Sequence, residues 1–312
     1  MNTEEQQYLD LVKDVLANGS KKSIYGVEEK YILSVFGRLL RFNLSNNTIP
    51  ILTTKKLFWK GAFKEILWFL SGTNNVAELA KQKVNIWNEF AYKYFKQNFV
   101  DSDTSLDEFV DVFLLNRKIF TIPTHYSNST KWKSSSGYLD QTKWVIDSIK
   151  KNPDRKSYVV SYWNPEEVYL MADECGRESV VLPACGFTYT VNISDNKLSL
   201  SVKFRSSDIG TGCGFNIAQY GLLTHMYSRC CNYEPGELVV MLDDAHIYSD
   251  QIKPLQQQLE RIPHCFPQLS IRERGQEYLT DFVFEDFEVV NYNPNKAIIV
   301  PLTVVGGYDK TN

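Results

Sequence analysis

Residues 197–231 read KLSLSVKFRSSDIGTGCGFNIAQYGLLTHMYSRCC. The first third alternates apolar and polar residues, the period of a strand with one covered face. The last part places Ile217, Tyr220, Leu223, Met226, Tyr227 and Cys230 near one side of a helix. Between them, Gly210, Gly212 and Gly214 lead into Asn216 at the helix start. Glycines ahead of a helix N-terminus suit a ligand that must approach the backbone closely. A strand thus hands Arg205, Ser206 and Asp208 to a glycine-rich turn and a long helix.

Outward from this stretch the chain stays β-rich. YVVSYW (158–163), FTYTVNI (187–193) and ELVVML (237–242) are further strand candidates, and SDNK (194–197) joins two strands as a hairpin. Upstream, YILSVFGRLLRF (31–42) reads as strand. KGAFKEILWFLSG (60–72) reads as a buried helix closed by Gly72. Tyr8, Leu11, Val12, Val15 and Leu16 repeat at helical spacing after a Thr3/Gln6 capping box. QIKPLQQQLERI (251–262) puts Ile252, Leu255, Leu259 and Ile262 on one side of another helix. Residues 96–135, rich in Asp, Ser, Asn, Thr and Lys, read as an insertion or irregular loop region. No Gly/Ser-rich or Pro-rich linker divides the chain, so residues 1–312 are expected to form a single large α+β domain, a mixed β-sheet flanked by helices.

Composition narrows the function classes. A chain of 312 residues with 43% apolar content buries a sizeable core, and a net charge of −3 argues against a general nucleic-acid or membrane-surface binder. No run approaches the roughly 18–20 apolar residues of a membrane span. The acidic, amphipathic start MNTEEQQYLDLVKDVL does not read as a signal peptide. The 6 cysteines (175, 185, 213, 230, 231, 265) show no C-x-x-C, and the 4 histidines show no zinc-ligand spacing. A cytoplasmic protein with reduced thiols and no metal is the expectation.

Polar clusters remain as candidates for chemistry, each beside a plainer reading. Cys185 follows Pro183 in ESVVLPACGF (178–187), where a cysteine beside a strand is most often a small buried hydrophobe. Arg205 and Asp208 also fit a surface pair or a turn. Asp244, His246 and Tyr248 alternate in LDDAHIYSD, as on a half-buried strand face. Glu65 sits in an otherwise apolar helix and needs a partner or a raised pKa.

Taken in order, these stretches resemble the thymidylate synthase family. The resemblance is carried by PAC (183–185), RSSDIGTGCGFNIAQY (205–220), LLTHM (222–226) and DAHIY (244–248). KEILWFLSGTNN (64–75), VNIWNEFA (84–91), NPDRKSYVVSYWNPEEV (152–168) and FEDFEVVNYNP (284–294) extend it. It covers nearly the whole chain except residues 96–135 and a C-terminal extension, 306–312.

The resemblance implies a folate-dependent one-carbon transfer to C5 of a uracil nucleotide, with 5,10-methylenetetrahydrofolate as co-substrate, in a homodimer. Cys185 is the implied nucleophile, adding as thiolate to C6 so that C5 gains enolate character. Arg205 is implied to favour the thiolate and, with Ser206 and Lys156, to hold the phosphate. Asn216 offers an acceptor and donors matching uracil N3–H and O4, where related deoxycytidylate hydroxymethylases carry aspartate. Gly212 belongs to the substrate loop, His246 and Tyr248 to the sugar contact, and Glu65 to proton handling. Asp208, Trp87, Ile86 and Lys55 match folate contacts.

Departures from the pattern are specific. A phosphate-loop arginine is replaced by Val27, and two partner-donated arginines by Lys156 and Ser157. Gly186 stands in the usual histidine position, and Tyr126 is the nearest match to a tyrosine in the reduced segment IPTHYSNSTKW. The family ends near Val304, where this chain continues. Methylation is therefore weighed against 5-hydroxymethylation, with water replacing hydride, and against a non-catalytic nucleotide- or RNA-binding role.

Overall fold

The computed structural model describes residues 2–24, 27–98, 104–116, 119–167 and 181–303. The chain gathers into two compact units: Met1–Phe63, Thr142–Val160 and Cys185–Thr303 form the first, and Lys64–Gln141, Ser161–Ala184 and Val304–Asn312 the second.

The first unit is built on a six-stranded mixed sheet. Its strands are β1 (Ser20–Ile24), β2 (Val27–Asn43), β3 (Val159–Ser161, where the chain passes to the second unit), β4 (Gly186–Ser194), β5 (Lys197–Asp208) and β6 (Glu234–Tyr248). The spatial order is β1-β2-β6-β5-β4-β3. β5 and β6 run parallel, while β1/β2, β2/β6 and β4/β5 are antiparallel. The expected SDNK hairpin is present: Asp195 and Asn196 take φ of 49° and 59°, the left-handed pair that suits a tight turn between twisted strands.

Period-2 patterning decides which face is covered. Leu198, Leu200, Val202 and Phe204 of β5 are buried, while Ser199, Ser201 and Lys203 are partly open. The Gly212–Cys231 helix packs against β5 and β6 and is buried on nearly all sides. A helix-wide apolar or small surface is what such a central position requires. The Thr3–Asn18 helix packs on β2 with Tyr8, Leu9, Leu11, Val12 and Val15 buried. Its cap is Asn2, whose side chain accepts from the Glu4 and Glu5 N–H groups, rather than the expected Thr3 box. The Ile252–Leu259 helix stops before Ile262, which is 64% exposed and does not join the apolar side assigned to it.

In the second unit the helix Trp59–Leu70, begun in the first, continues to Gly72 at φ 66°, as expected of a helix-closing glycine. Helices Val76–Lys81 and Asn88–Asn98 follow. The region expected to be irregular holds more order than its polar composition indicates. Phe109–Leu114 forms a π-helical turn, Asn128–Lys131 a short helix, and Trp132–Ser134 begins a hairpin with Gly137–Leu139. Aromatic contacts explain this order: Phe109 is fully buried against Phe95 and Phe120 at ring-centroid distances of 5.0 and 5.3 Å. Residues 99–103 and 117–118, Cys175 and the C-terminal extension lie outside the described residues.

Candidate active site

In the first unit, the ends of β4, β5 and β6 carry most of the residues singled out from sequence. Cys185 immediately precedes β4, and its carbonyl accepts the Arg205 N–H at 2.9 Å. That bond ties the cysteine backbone to the strand that bears Arg205 and Ser206. The thiol is half-buried, whereas Cys213, Cys230 and Cys231 are buried. Burial pushes each of those three thiols up to about 12, which leaves them protonated near neutrality. Gly186 follows in a place without room for a side chain. A Cβ there would lie 2.8 Å from a Phe204 ring carbon and 3.1 Å from the Tyr220 hydroxyl. A side chain at this position would have to displace these rings.

After β5 the turn 209–211 is pinned from several sides. Asp208 Oδ1 accepts from the Gly210 and Thr211 N–H groups at 2.9 and 3.2 Å. Its Oδ2 accepts from the Thr211 hydroxyl and from Gln251 Nε2, the latter at 3.0 Å. Tyr8 donates its hydroxyl proton to the Ile209 carbonyl at 2.8 Å, and Ile209 N–H donates to the His246 carbonyl at 2.9 Å. The buried Lys55 ammonium donates to the Gly210 carbonyl at 2.5 Å. Burial lowers Lys55 to about 8, against the pull of the Asp208 carboxylate, which favours the charge. A Cβ at Gly210 would meet Gln251 Oε1 at 2.4 Å, so a side chain there would force the Gln251 amide to move from Asp208.

Gly212 opens the helix that carries Asn216, whose Nδ2 donates to Gln219 Oε1 at 3.1 Å. On β6, His246 Nδ1 lies 3.1 Å from Asp244 Oδ1, and Lys22 donates to Asp244 Oδ2 at 2.8 Å. Burial works against the Asp244 charge, but bonds from His246, Lys22 and Ser34 outweigh it and hold this carboxyl well below the usual range. The His246 and Tyr248 rings meet edge to face, 5.2 Å apart. Burial raises the Tyr248 phenol, and the charges of Asp208, Cys185 and Asp244 push it the same way.

Other basic residues of the first unit are differently disposed. Lys22 is engaged with Asp244 and also donates to Ser34 Oγ, and Lys21 lies over the Tyr31 ring. Arg155 donates to Ser157 Oγ at 2.8 Å and faces the Trp144 ring; Lys156 beside it is exposed.

In the second unit Glu65 has the partner that its apolar helix demands: Trp87 Nε1 donates to Glu65 Oε1 at 2.6 Å, both residues being buried. Trp87 packs with Trp68, Phe69, Phe90 and Tyr126, and Tyr126 stacks on Phe69 at 4.0 Å. Ile86 beside it is half-buried.

Sequence reasoning passed over His125 and Gln219. His125 is fully buried, its Nδ1 accepts the Ala184 N–H at 3.3 Å, and its Nε2 lies 3.0 Å from the Glu167 carboxylate. A histidine inside IPTHYSNSTKW was the available signal. Gln219 stood only as a letter in FNIAQY, although its spacing of three from Asn216 on a helix makes the two neighbours.

The sequence model of the thymidylate synthase family matches residues 6–304, a span that includes both units, and the chain belongs to that family. It is 37% identical over 295 residues to thymidylate synthase 1/2 of Encephalitozoon cuniculi, covering 94% of this chain and 95% of that one. It is 35% identical to the bifunctional dihydrofolate reductase-thymidylate synthase of Leishmania major, over 97% of this chain and 56% of the relative. For the bifunctional enzyme 2 of Arabidopsis thaliana the values are 34%, 96% and 50%. The chain thus spans nearly all of the first relative and about half the length of the bifunctional ones. The family is one of methyltransferases whose co-substrate is methylenetetrahydrofolate.

Proposed function

We propose that this protein methylates a uracil nucleotide, deoxyuridylate to thymidylate, through a covalent adduct at Cys185. The observation that carries the reading is the place of the Cys185 thiol: it is half-exposed just before β4 and tied through its carbonyl to Arg205, while Cys213, Cys230 and Cys231 are buried and held protonated and the exposed Cys265 lies away from these strand ends.

Cys185 adds its sulfur to C6 of the pyrimidine, which makes C5 nucleophilic; elimination at the end restores the ring and the thiolate. Arg205, tied to Cys185 through the main chain, favours the thiolate and shares the phosphate with Ser206 and Lys156. Asn216 pairs with N3–H and O4. His246, held at Nδ1 by Asp244, contacts the sugar together with Tyr248. Asp208 holds the 209–211 turn and accepts from the pterin in exchange for one of its four present donors. Lys55 supports that turn, and Ile86 and Trp87 provide an apolar wall. Glu65, oriented by Trp87, handles protons. When bound, methylenetetrahydrofolate supplies the one-carbon unit and the hydride.

The test is incubation with deoxyuridylate and methylenetetrahydrofolate, followed by product mass and dihydrofolate absorbance. Methylation gives thymidylate and dihydrofolate together. A hydroxymethyl product without dihydrofolate would replace this reading by the hydroxymethylase one. Cys185→Ala is expected to bind nucleotide yet lose turnover, and a fluoropyrimidine nucleotide with folate should leave its mass on Cys185. An adduct on Cys213 would refute the assignment.

The homodimer belongs to the same reading. Leu39 and Met241 face each other across β2 and β6 and are 50% and 39% exposed, with Phe36 nearby on β2 at 78%. An uncovered apolar strip on a sheet is suited to a second sheet. Light scattering should give twice the chain mass at micromolar concentration; a monomer would reject the pairing.

A further inference from the structure

An asparagine amide is nearly symmetric in shape. Rotated by half a turn about its last bond, it exchanges its donor and acceptor edges. In one setting it matches uracil, which offers a donor at N3 and an acceptor at O4. In the other it matches cytosine, which offers an acceptor at N3 and a donor at the 4-amino group. An asparagine therefore discriminates between these bases only if something else fixes its orientation.

Gln219 is placed to do so. Its Nε2 donates to the Ala62 main-chain carbonyl at 3.3 Å. A carbonyl only accepts, so the Gln219 amide must turn its NH2 toward Ala62 and its Oε1 away. That Oε1 receives Asn216 Nδ2 at 3.1 Å. An oxygen only accepts, so Asn216 must present its own NH2 to Gln219. One Asn216 proton is then committed, leaving Oδ1 and the second Nδ2–H for a ligand. Gln219 is 1% exposed, so water does not compete for its amide as it would at the surface. Turning Asn216 over would set two oxygens against each other in a buried place. The Cβ-free position Gly212, 3.7 Å from Asn216 Oδ1 at its built Cβ, leaves that oxygen uncrowded.

We infer that Gln219 is a positioning residue that locks the Asn216 amide in its uracil-reading orientation, and so sets the choice of uracil over cytosine. The inference rests on the reading of Asn216 as the base contact. Its chain of fixed roles starts at a backbone carbonyl, whose polarity no side-chain rotation can reverse.

The test measures equilibrium binding of deoxyuridylate and deoxycytidylate to the wild-type protein, Gln219→Met and Gln219→Glu, without folate. Methionine keeps the volume and removes the acceptor, so the preference for deoxyuridylate should fall by about tenfold or more. Glutamate keeps an acceptor toward Asn216 and should retain most of the preference, although a buried carboxyl against the Ala62 carbonyl makes it the less stable variant. Selectivity and stability should thus rank the variants in opposite orders. Loss of preference that follows loss of stability, or an unchanged preference in Gln219→Met, overturns the inference while leaving the uracil reading intact. A wild-type protein without base preference removes both. Should Gln219→Met fail to fold, proton exchange of the Asn216 side-chain amide in the wild-type protein decides the anchor: one slow and one fast proton is expected, and two fast protons overturn it.

Discussion

Lys55 offers a prediction whose size follows from its surroundings. Its ammonium is buried, donates to the Gly210 carbonyl at 2.5 Å and feels the Asp208 carboxylate. Burial dominates and lowers it from 10.5 to about 8. At about 1.4 kcal/mol per tenfold change in proton affinity, this corresponds to about 3 kcal/mol of unfavourable charge burial. Below pH 8 the amine is protonated in both folded and unfolded chains, and that cost is fully present. Between about 8 and 10.5 the folded chain has released the proton while the unfolded chain still binds it. Stability from this group therefore rises with pH across that window. Lys55→Met lacks the rise. Urea unfolding of both proteins from about pH 7 to about pH 10.5 should show the wild type gaining on the variant by about 3 kcal/mol, other titrations cancelling in the difference. Parallel stability curves would refute the argument that this amine is charged and buried beneath the 209–211 turn.

Two further perturbations test the packing around the proposed chemistry. Gly186→Ala places a methyl against the Phe204 ring and should lower stability by about 1–3 kcal/mol in denaturant unfolding; a neutral result would show that the rings yield easily. Trp87→Phe keeps most of the aromatic volume but removes the donor to Glu65, so a loss of about 1–3 kcal/mol in thermal or urea unfolding is expected. Glu65→Gln should recover part of that loss in the Trp87→Phe background, since it removes the buried charge left short of a partner; no recovery would mean the carboxylate does not depend on Trp87.

Local periodicity and motif order determined much of this protein. Alternation marked the strands, and SDNK marked the β4/β5 turn, because both signals lie within a few neighbouring residues. The isolated carboxylate of Glu65 announced that a partner was needed, but only the fold identified it as Trp87, 22 residues away. Other features were decided at long range. The PAC motif marked Cys185, and burial then set it apart from Cys213, Cys230 and Cys231, though not from the exposed Cys265. The polar stretch around Phe109 reads as loop until its aromatic partners are assembled. The spacing of Asn216 and Gln219 is written in the chain, yet their orientation comes from the Ala62 carbonyl, 157 positions from Gln219. A hydrogen bond has a direction, and a residue's neighbours in sequence do not specify the distant donor or acceptor that sets it.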